Sequence, residues 1–124
     1  PLGMKIDWRT RRPALGNGQG PICGPAIRPI GVLRTWELYK RIHLPIIASG
    51  GICTWEDALE YILAGASAVG VGSAQFVYPD AASTILRGLE QYVLEQRLTS
   101  ILDLVGAAQK TLGNQSAPIS LTSH

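Results

Sequence analysis

The sequence predicts an α/β fold built around two consecutive βα units. Two short apolar runs, Leu44–Ser49 and Ala66–Val71, each end in a pair of small residues, Gly50–Gly51 and Gly72–Ser73. A helical pattern follows each pair. Continuous apolar runs are typical of parallel strands buried on both faces. We therefore expect a βαβα unit with a right-handed crossover.

The composition indicates one globular domain with its own core. The chain has 124 residues, of which 46% are hydrophobic and 16% charged. A net charge of +2 is too small to indicate nucleic acid as the main partner. No apolar run reaches the roughly 18 residues of a membrane span, and no secretory signal is predicted. Two cysteines fit a reducing compartment, so we expect a cytoplasmic location with no membrane partner.

The first 25 residues are predicted to form a hairpin and a loop. Residues 5–15 mix β-formers with charge, which favours a short hairpin with its turn near Thr10–Arg12. Its basic side chains are interpreted as a solvated face rather than a nucleic-acid patch. Residues 16–25 contain four glycines and two prolines, so they are predicted to be a loop. Pro21 interrupts the G-x-G-x-x-G pattern that begins at Gly16, which excludes a Rossmann fingerprint.

Helices are predicted on both sides of the first strand. Over Arg28–His43 one face is apolar: Val32, Trp36, Tyr39 and Ile42. Thr54 and Asp57 form a capping-box signature for the second helix, which is predicted to end at Ala64–Gly65. We expect that helix to bury Trp55, Ala58, Leu59 and Ile62, and to expose Glu56, Asp57 and Glu60.

After the second strand the pattern predicts a helical turn at Ala74–Val77 and a longer helix beginning near Pro79–Asp80. One face of that longer helix is apolar: Ala82, Leu86, Leu89 and Val93. A last amphipathic segment runs over residues 99–110. Residues 112–124 are predicted to be a polar, disordered tail.

The paired small residues predict a phosphate site. Without a Cβ the backbone can approach a ligand closely, and its N–H groups can converge on an anion. The helix that follows adds the positive end of its dipole. Two consecutive strands that end at Gly50–Gly51 and Gly72–Ser73 could bind one phosphate from two sides. The alternative is that these glycines only permit tight turns and close packing.

The other polar residues give no comparable signal. Cys23 and Cys53 are isolated from each other and from histidines, so no metal site is predicted. Cys23 is interpreted as a small loop residue, and His43 as a cation at a helix end. No pair of residues makes a convincing acid–base set.

The order of motifs resembles the dihydroorotate dehydrogenase family, most closely its class 1B catalytic subunit. The motifs are Met4-Lys5-Ile6-Asp7-x-x-Thr10-Arg11-x-Pro13, Gly24-Pro25-Ala26-Ile27-Arg28-Pro29, Pro45-Ile46-Ile47-x-x-Gly50-Gly51-Ile52 and Ala64-Gly65-Ala66-Ser67-Ala68-Val69-x-Val71-Gly72-Ser73-Ala74. The resemblance implies that residues 1–111 are the C-terminal part of an FMN-binding (β/α)₈ TIM barrel: a hairpin followed by the last two βα units. A complete barrel needs about 250 residues.

The resemblance also implies a cofactor, a reaction and partners. FMN would be bound by Gly24, against the flavin, and by the backbone of Gly50, Gly51, Gly72 and Ser73, around its phosphate. The reaction is the oxidation of dihydroorotate to orotate in pyrimidine synthesis. We expect a homodimer, and a partner subunit that carries FAD and an iron–sulfur cluster. The catalytic base, the flavin-contacting lysine and the substrate residues belong to earlier parts of the barrel. No catalytic residue is therefore predicted in this chain, and the isolated chain is expected to be inactive.

The loop before the Gly-Pro-Ala-Ile motif departs from the family pattern. Gly20-Pro21-Ile22-Cys23 stands where the family usually has Gly-Gly-Leu-Ser, and Cys23 is not the family's catalytic cysteine. Ala48-Ser49 stands where Gly-Met is common. Two alternative functions stay open at this point. One is a related FMN barrel such as a dihydropyrimidine dehydrogenase domain, and the other is a phosphate-binding half-barrel without catalysis.

Overall fold

A computed structural model describes residues 1–113. Six short strands and five α-helices follow one another in the chain: β1 Leu2–Gly3, β2 Ile6–Asp7, β3 Arg12–Pro13, β4 Gly20–Pro21, α1 Arg28–Arg41, β5 Ile47–Ser49, α2 Trp55–Ala64, β6 Ala68–Gly70, α3 Ala74–Val77, α4 Ala81–Glu95 and α5 Ala107–Gly113. The predicted tail begins inside α5, and its remaining residues, 114–124, lie outside the described residues. Within the described residues, no helix has the length and apolarity that a membrane span requires.

The N-terminal hairpin forms as predicted. β2 and β3 pair antiparallel, with Ile6 opposite Pro13. The turn occupies residues 8–11, slightly earlier than predicted, because Arg12 is already part of β3. The predicted loop contains one short strand, since β4 pairs antiparallel with β1 and places Pro21 opposite Leu2. This two-residue pairing ties the loop to the start of the chain.

The centre of the molecule is the predicted βαβ unit. β5 and β6 are parallel neighbours, with Ile47 opposite Ala68 and Ser49 opposite Gly70. α2 connects them and packs against α1, α4 and α5. The carboxyl ends of the two strands therefore lie side by side, and the small-residue pairs that follow them meet at one edge.

Within the described residues these strands are buried on one face only, whereas the sequence predicts burial on both. The side chain of Ala48 is 6% exposed, whereas its neighbour Ile47 is 77% exposed. Side chains alternate between the two faces of a strand. The face of Ala48 and Val69 packs on the helices, and the face of Ile47 and Ala68 has no cover from the described residues.

The core lies between the sheet and helices α2 and α4. It consists of Ala48, Ile52, Ala58, Tyr61, Ala66 and Ile85. The predicted apolar face of α4 is partly wrong: Ala81 and Ile85 are buried while Ala82 and Leu86 are exposed, the latter to 57%. Leu89 packs against the core and Val93 is half-buried, as predicted. Gly88 explains the difference: a Cβ there would overlap the side chain of Trp55, so the close contact with α2 requires this face of α4 to turn inward.

Two further boundaries differ from the prediction. α1 ends at Arg41 rather than at His43, and Thr35 is its one buried residue among half-buried Val32, Trp36 and Tyr39. The segment 99–110 is not one helix. It forms a 3₁₀ turn, Ile101–Leu104, and then α5, because Gly106 interrupts it with φ +70° and donates its N–H to the Ile62 carbonyl at 3.0 Å.

Candidate functional site

The ends of β5 and β6 and the loop before α1 enclose one cavity of about 250 Å³. The five residues that the sequence predicts as cofactor-binding all line it: Gly24, Gly50, Gly51, Gly72 and Ser73. The remaining lining residues are Cys23, Ile27, Ser49, Ile52 and Gly70. The structure therefore brings the predicted residues together, although they come from three separate segments of the chain.

The Gly50–Gly51 turn requires glycine for conformational and steric reasons. Both residues have positive φ, +126° and +69°, which side chains rarely adopt. A Cβ on Gly51 would lie 2.5 Å from the carbonyl oxygen of Gly24 and 3.1 Å from the backbone nitrogen of Arg28. The turn thus packs directly against the loop before α1 and the first residue of that helix.

Neither packing nor backbone conformation requires a glycine at position 72. No atom lies within 4 Å of the position that its Cβ would take, and its φ is not in the left-handed range. Protein packing therefore does not explain this glycine. Ser73 follows as the N-cap of α3. The N–H groups of Gln75 and Phe76 at the start of this helix donate to the carbonyls of Gly72 at 3.0 Å and Ser73 at 3.2 Å. The alternative, that the glycines only permit tight turns and close packing, fits Gly50 and Gly51, and no contact or φ value decides between the two interpretations at Gly72.

The residues that line the cavity carry no charged side chain. Arg28, whose backbone lies against Gly51, forms ion pairs with Asp57 and with Glu60, the latter at 3.1 Å between Nε and Oε2. Its charge is therefore already balanced. An anion in this cavity would be bound by backbone N–H groups and by the hydroxyls of Ser49 and Ser73.

The prediction that Asp57 is exposed is wrong. The residue is 7% exposed, and its carboxylate pairs with Arg28 and accepts the backbone N–H groups of Cys53 at 2.9 Å and Thr54 at 3.0 Å. The Thr54 hydroxyl in turn accepts the Asp57 N–H at 3.3 Å, which confirms the predicted capping box. A single carboxylate thus joins α1, α2 and the loop between β5 and α2.

Sequence reasoning also missed Tyr61, which is fully buried under the cavity. Its hydroxyl donates to the carbonyl oxygen of Gly50 at 2.8 Å. Burial raises the pKa of the phenol, with a smaller contribution from the negative charge of Glu60. Tyr61 lies four residues after Asp57, one helical turn further, and this spacing is the signal that could have indicated a shared face toward the loop.

The other candidates stay apart from this arrangement. Cys23 is exposed at the cavity, and Cys53 is half-buried and faces a different pocket, between α2 and α4. Across residues 1–113, no three His, Cys, Asp or Glu side chains form a group that could hold a metal ion.

Comparison with known proteins identifies relatives. The family model described as dihydroorotate dehydrogenase matches residues 2–93. The chain is 51% identical over 107 residues to a protein of Desulforamulus reducens and 52% identical over 110 residues to one of Desulforudis audaxviator. Both are named dihydroorotate dehydrogenase B (NAD(+)), catalytic subunit. The matches cover 86% and 89% of this chain but 35% and 36% of those proteins.

Solved structures give the same relationship. A crystal structure of the Eimeria tenella dihydroorotate dehydrogenase in complex with ferulenol superposes with a TM-score of 0.70 at 26% identity. A ligand-free structure of that enzyme superposes with a TM-score of 0.64 at 29% identity. The superpositions cover 87% and 73% of this chain, and 30% and 25% of those chains. The chain thus spans about a third of the length of the curated relatives that it matches.

Proposed function

The chain belongs to the dihydroorotate dehydrogenase family, and from this premise we propose that its cavity binds the phosphate of FMN. Gly50, Gly51, Gly72 and Ser73 bind the phosphate through the backbone, and Gly24 lies against the flavin. The observation that carries the proposal is the meeting of these residues in one cavity without a charged side chain.

The size of the cavity supports a phosphate rather than a whole cofactor. Pockets for drug-sized ligands have volumes of about 300–1,000 Å³, and this cavity has about 250 Å³. Gly72 supports the same assignment, because the space beside it is open. The flavin ring then extends past Gly24 and Cys23, on the exposed side of the loop.

We place the chain in the C-terminal part of a (β/α)₈ barrel, with β5 and β6 as its last two strands. The uncovered face of Ile47 and Ala68 becomes the inner face of that barrel. In such barrels the loops after the last two strands, together with a short extra helix, form the recurrent phosphate site. Here α3 takes the place of that short helix, and residues 1–111 form one domain.

The complete protein then oxidises dihydroorotate to orotate in pyrimidine synthesis. Bound FMN supplies the acceptor for the hydride, and the residues of this chain hold its phosphate end. The catalytic base and the substrate residues belong to the part of the relatives that this chain does not match. The name of those relatives contains NAD(+) and the words catalytic subunit, which supports NAD⁺ as the final acceptor and a further subunit. We propose that this partner subunit carries FAD and an iron–sulfur cluster. We further propose a homodimer in the cytoplasm.

The test uses the complete protein in which this sequence occurs. Purified protein is expected to be yellow, to release FMN on denaturation, and to bleach when dihydroorotate is added without oxygen. Binding of FMN and of riboflavin to the apoprotein is measured in parallel, since riboflavin lacks the phosphate. We expect clearly tighter binding of FMN.

Each other outcome identifies an alternative. A protein that is bleached by dihydropyrimidines and not by dihydroorotate would be a related FMN barrel. A colourless protein that binds inorganic phosphate and no flavin would be a phosphate-binding module without catalysis. Equal affinity for FMN and riboflavin would contradict the assignment of the cavity to the phosphate.

A further inference from the structure

We infer that Tyr61 is a positioning residue for the phosphate-binding turn, Gly50–Gly51. Its hydroxyl holds the turn through a hydrogen bond to the Gly50 carbonyl, on the side away from the cavity. This inference rests on the proposed function, because it concerns how the same cavity recognises FMN. Tyr61 itself does not line the cavity. Its effect on a ligand therefore passes through the backbone of the turn.

The first step is the orientation of one peptide group. The Tyr61 hydroxyl donates to the Gly50 oxygen at 2.8 Å. A trans peptide is planar, so its carbonyl and the N–H of the next residue point in opposite directions. Fixing the Gly50 oxygen toward Tyr61 thus directs the Gly51 N–H away from α2. Gly51 lines the cavity and Tyr61 does not. The N–H of Gly51 therefore faces the side of the turn on which the ligand would bind.

The second step is that the turn needs such an anchor. Glycine adopts positive and negative φ with similar ease, so rotation of a Gly–Gly peptide meets no side-chain barrier. Gly50 and Gly51 have this freedom. A hydrogen bond from a fully buried ring opposes the rotation. A rotated peptide would exchange the 2.8 Å bond to the Gly50 oxygen for the longer one, at 3.4 Å, that the Arg28 carbonyl oxygen offers to the Tyr61 hydroxyl.

The third step is that α2 holds both ends of the loop. Asp57 accepts the N–H groups of Cys53 and Thr54, at the end of the loop. Tyr61, one helical turn later, binds Gly50 at its beginning. The segment between these anchors, Gly50–Ile52, is the part of the loop that lines the cavity. Both anchors are side chains of one helix, so the turn keeps a fixed position relative to α2.

The experiment compares FMN with riboflavin in the complete protein carrying Tyr61→Phe. This substitution removes one hydroxyl and keeps the buried ring. We expect the affinity for FMN to fall about five- to tenfold, the effect of one lost hydrogen bond. The affinity for riboflavin is expected to stay unchanged, since it has no phosphate for the Gly51 N–H to bind. Tyr92→Phe is the matched control, because Tyr92 packs on Trp55 and lies outside the cavity lining.

The outcomes separate the two proposals. A selective loss of FMN affinity, with the ³¹P resonance of bound FMN shifted relative to wild type, supports the positioning role. Unchanged FMN affinity, or an equal loss for FMN and riboflavin, overturns it and leaves the phosphate site intact. If the wild-type protein itself does not prefer FMN over riboflavin, the proposed function fails, and the role of Tyr61 fails with it.

Discussion

At the scale of single residues, we expect Gly51→Ala and Gly72→Ala to differ in their effect on stability. Gly51→Ala places a side chain at φ +69° and against the Gly24 carbonyl. We expect it to cost at least about 1–2 kcal/mol of stability and to weaken FMN binding. Gly72→Ala meets no protein atom. The free energy of unfolding of this variant should lie within about 0.5 kcal/mol of the wild-type value. Its affinity for FMN should nevertheless fall about tenfold.

The measurements are thermal unfolding of the apoprotein and titration with FMN. Gly16→Ala is the control, since Gly16 is outside the cavity, has no contact at its Cβ position and is not in the left-handed region. If Gly72→Ala binds FMN like wild type, the open space beside Gly72 is not the phosphate site.

Tyr61 also predicts a dependence of stability on pH. Burial raises the pKa of its phenol in the folded protein above the ordinary value of 10.0. Above pH 10.0 the unfolded chain therefore loses this proton before the folded one does. The stabilising contribution of Tyr61 is complete below that pH and is lost as the pH rises through the folded-state pKa. Urea unfolding between pH 8 and pH 11 measures this loss.

Tyr61→Phe should flatten the alkaline part of that profile. Tyr78→Phe, which removes an exposed hydroxyl, should leave it as in wild type. Identical profiles for wild type and Tyr61→Phe would contradict a buried, protonated phenol at this position.

At the scale of elements, the contact between α1 and α2 depends on Asp57 more than on Glu60, although both pair with Arg28. Asp57→Ala removes the cap of α2 and leaves a partly buried guanidinium without its main partner. We expect a loss of about 2–4 kcal/mol. Glu60 is half exposed, so Glu60→Ala should cost less than about 1 kcal/mol. Chemical denaturation measures both, and equal losses would be evidence against the central role of Asp57.

These elements also mark what the sequence can and cannot predict. The capping box of α2, the glycine that ends this helix at Gly65 and the βαβ order follow from local patterns, and the structure contains them. The inward face of α4 depends on a contact between Gly88 and Trp55, which lie 33 residues apart. Likewise Asp57 has the position of an exposed cap in its own helix, and its ion pair with Arg28 from another helix could not be predicted from the local pattern. The glycines of the cavity were predictable, whereas their support by Tyr61 required the tertiary structure.

At the scale of the whole molecule, the uncovered sheet face leads us to expect opposite effects of Ile47→Asp in the complete protein and in the isolated chain. In the complete protein, the proposed barrel buries Ile47, so Ile47→Asp should cost several kcal/mol, about 3 or more. In the isolated 124-residue chain the same side chain is exposed. There the charge should reduce self-association, because a broad exposed apolar face favours pairing.

Thermal unfolding of the complete protein and sedimentation of the isolated chain measure the two effects. Leu102→Asp is the control, since Leu102 is exposed and lies in the 3₁₀ turn rather than in the sheet. An isolated chain that sediments as a monomer with Ile47 intact would argue against this face as an interior surface.

The cavity has a genetic consequence as well as a chemical one. All of its lining residues fall between Cys23 and Ser73, and their supports Arg28, Asp57 and Tyr61 lie within the same stretch. A single recombination event can therefore transfer the lining residues and the residues that support them from one gene to another. Other parts of the complete protein can then diverge, while the proposed phosphate site is inherited as one unbroken block.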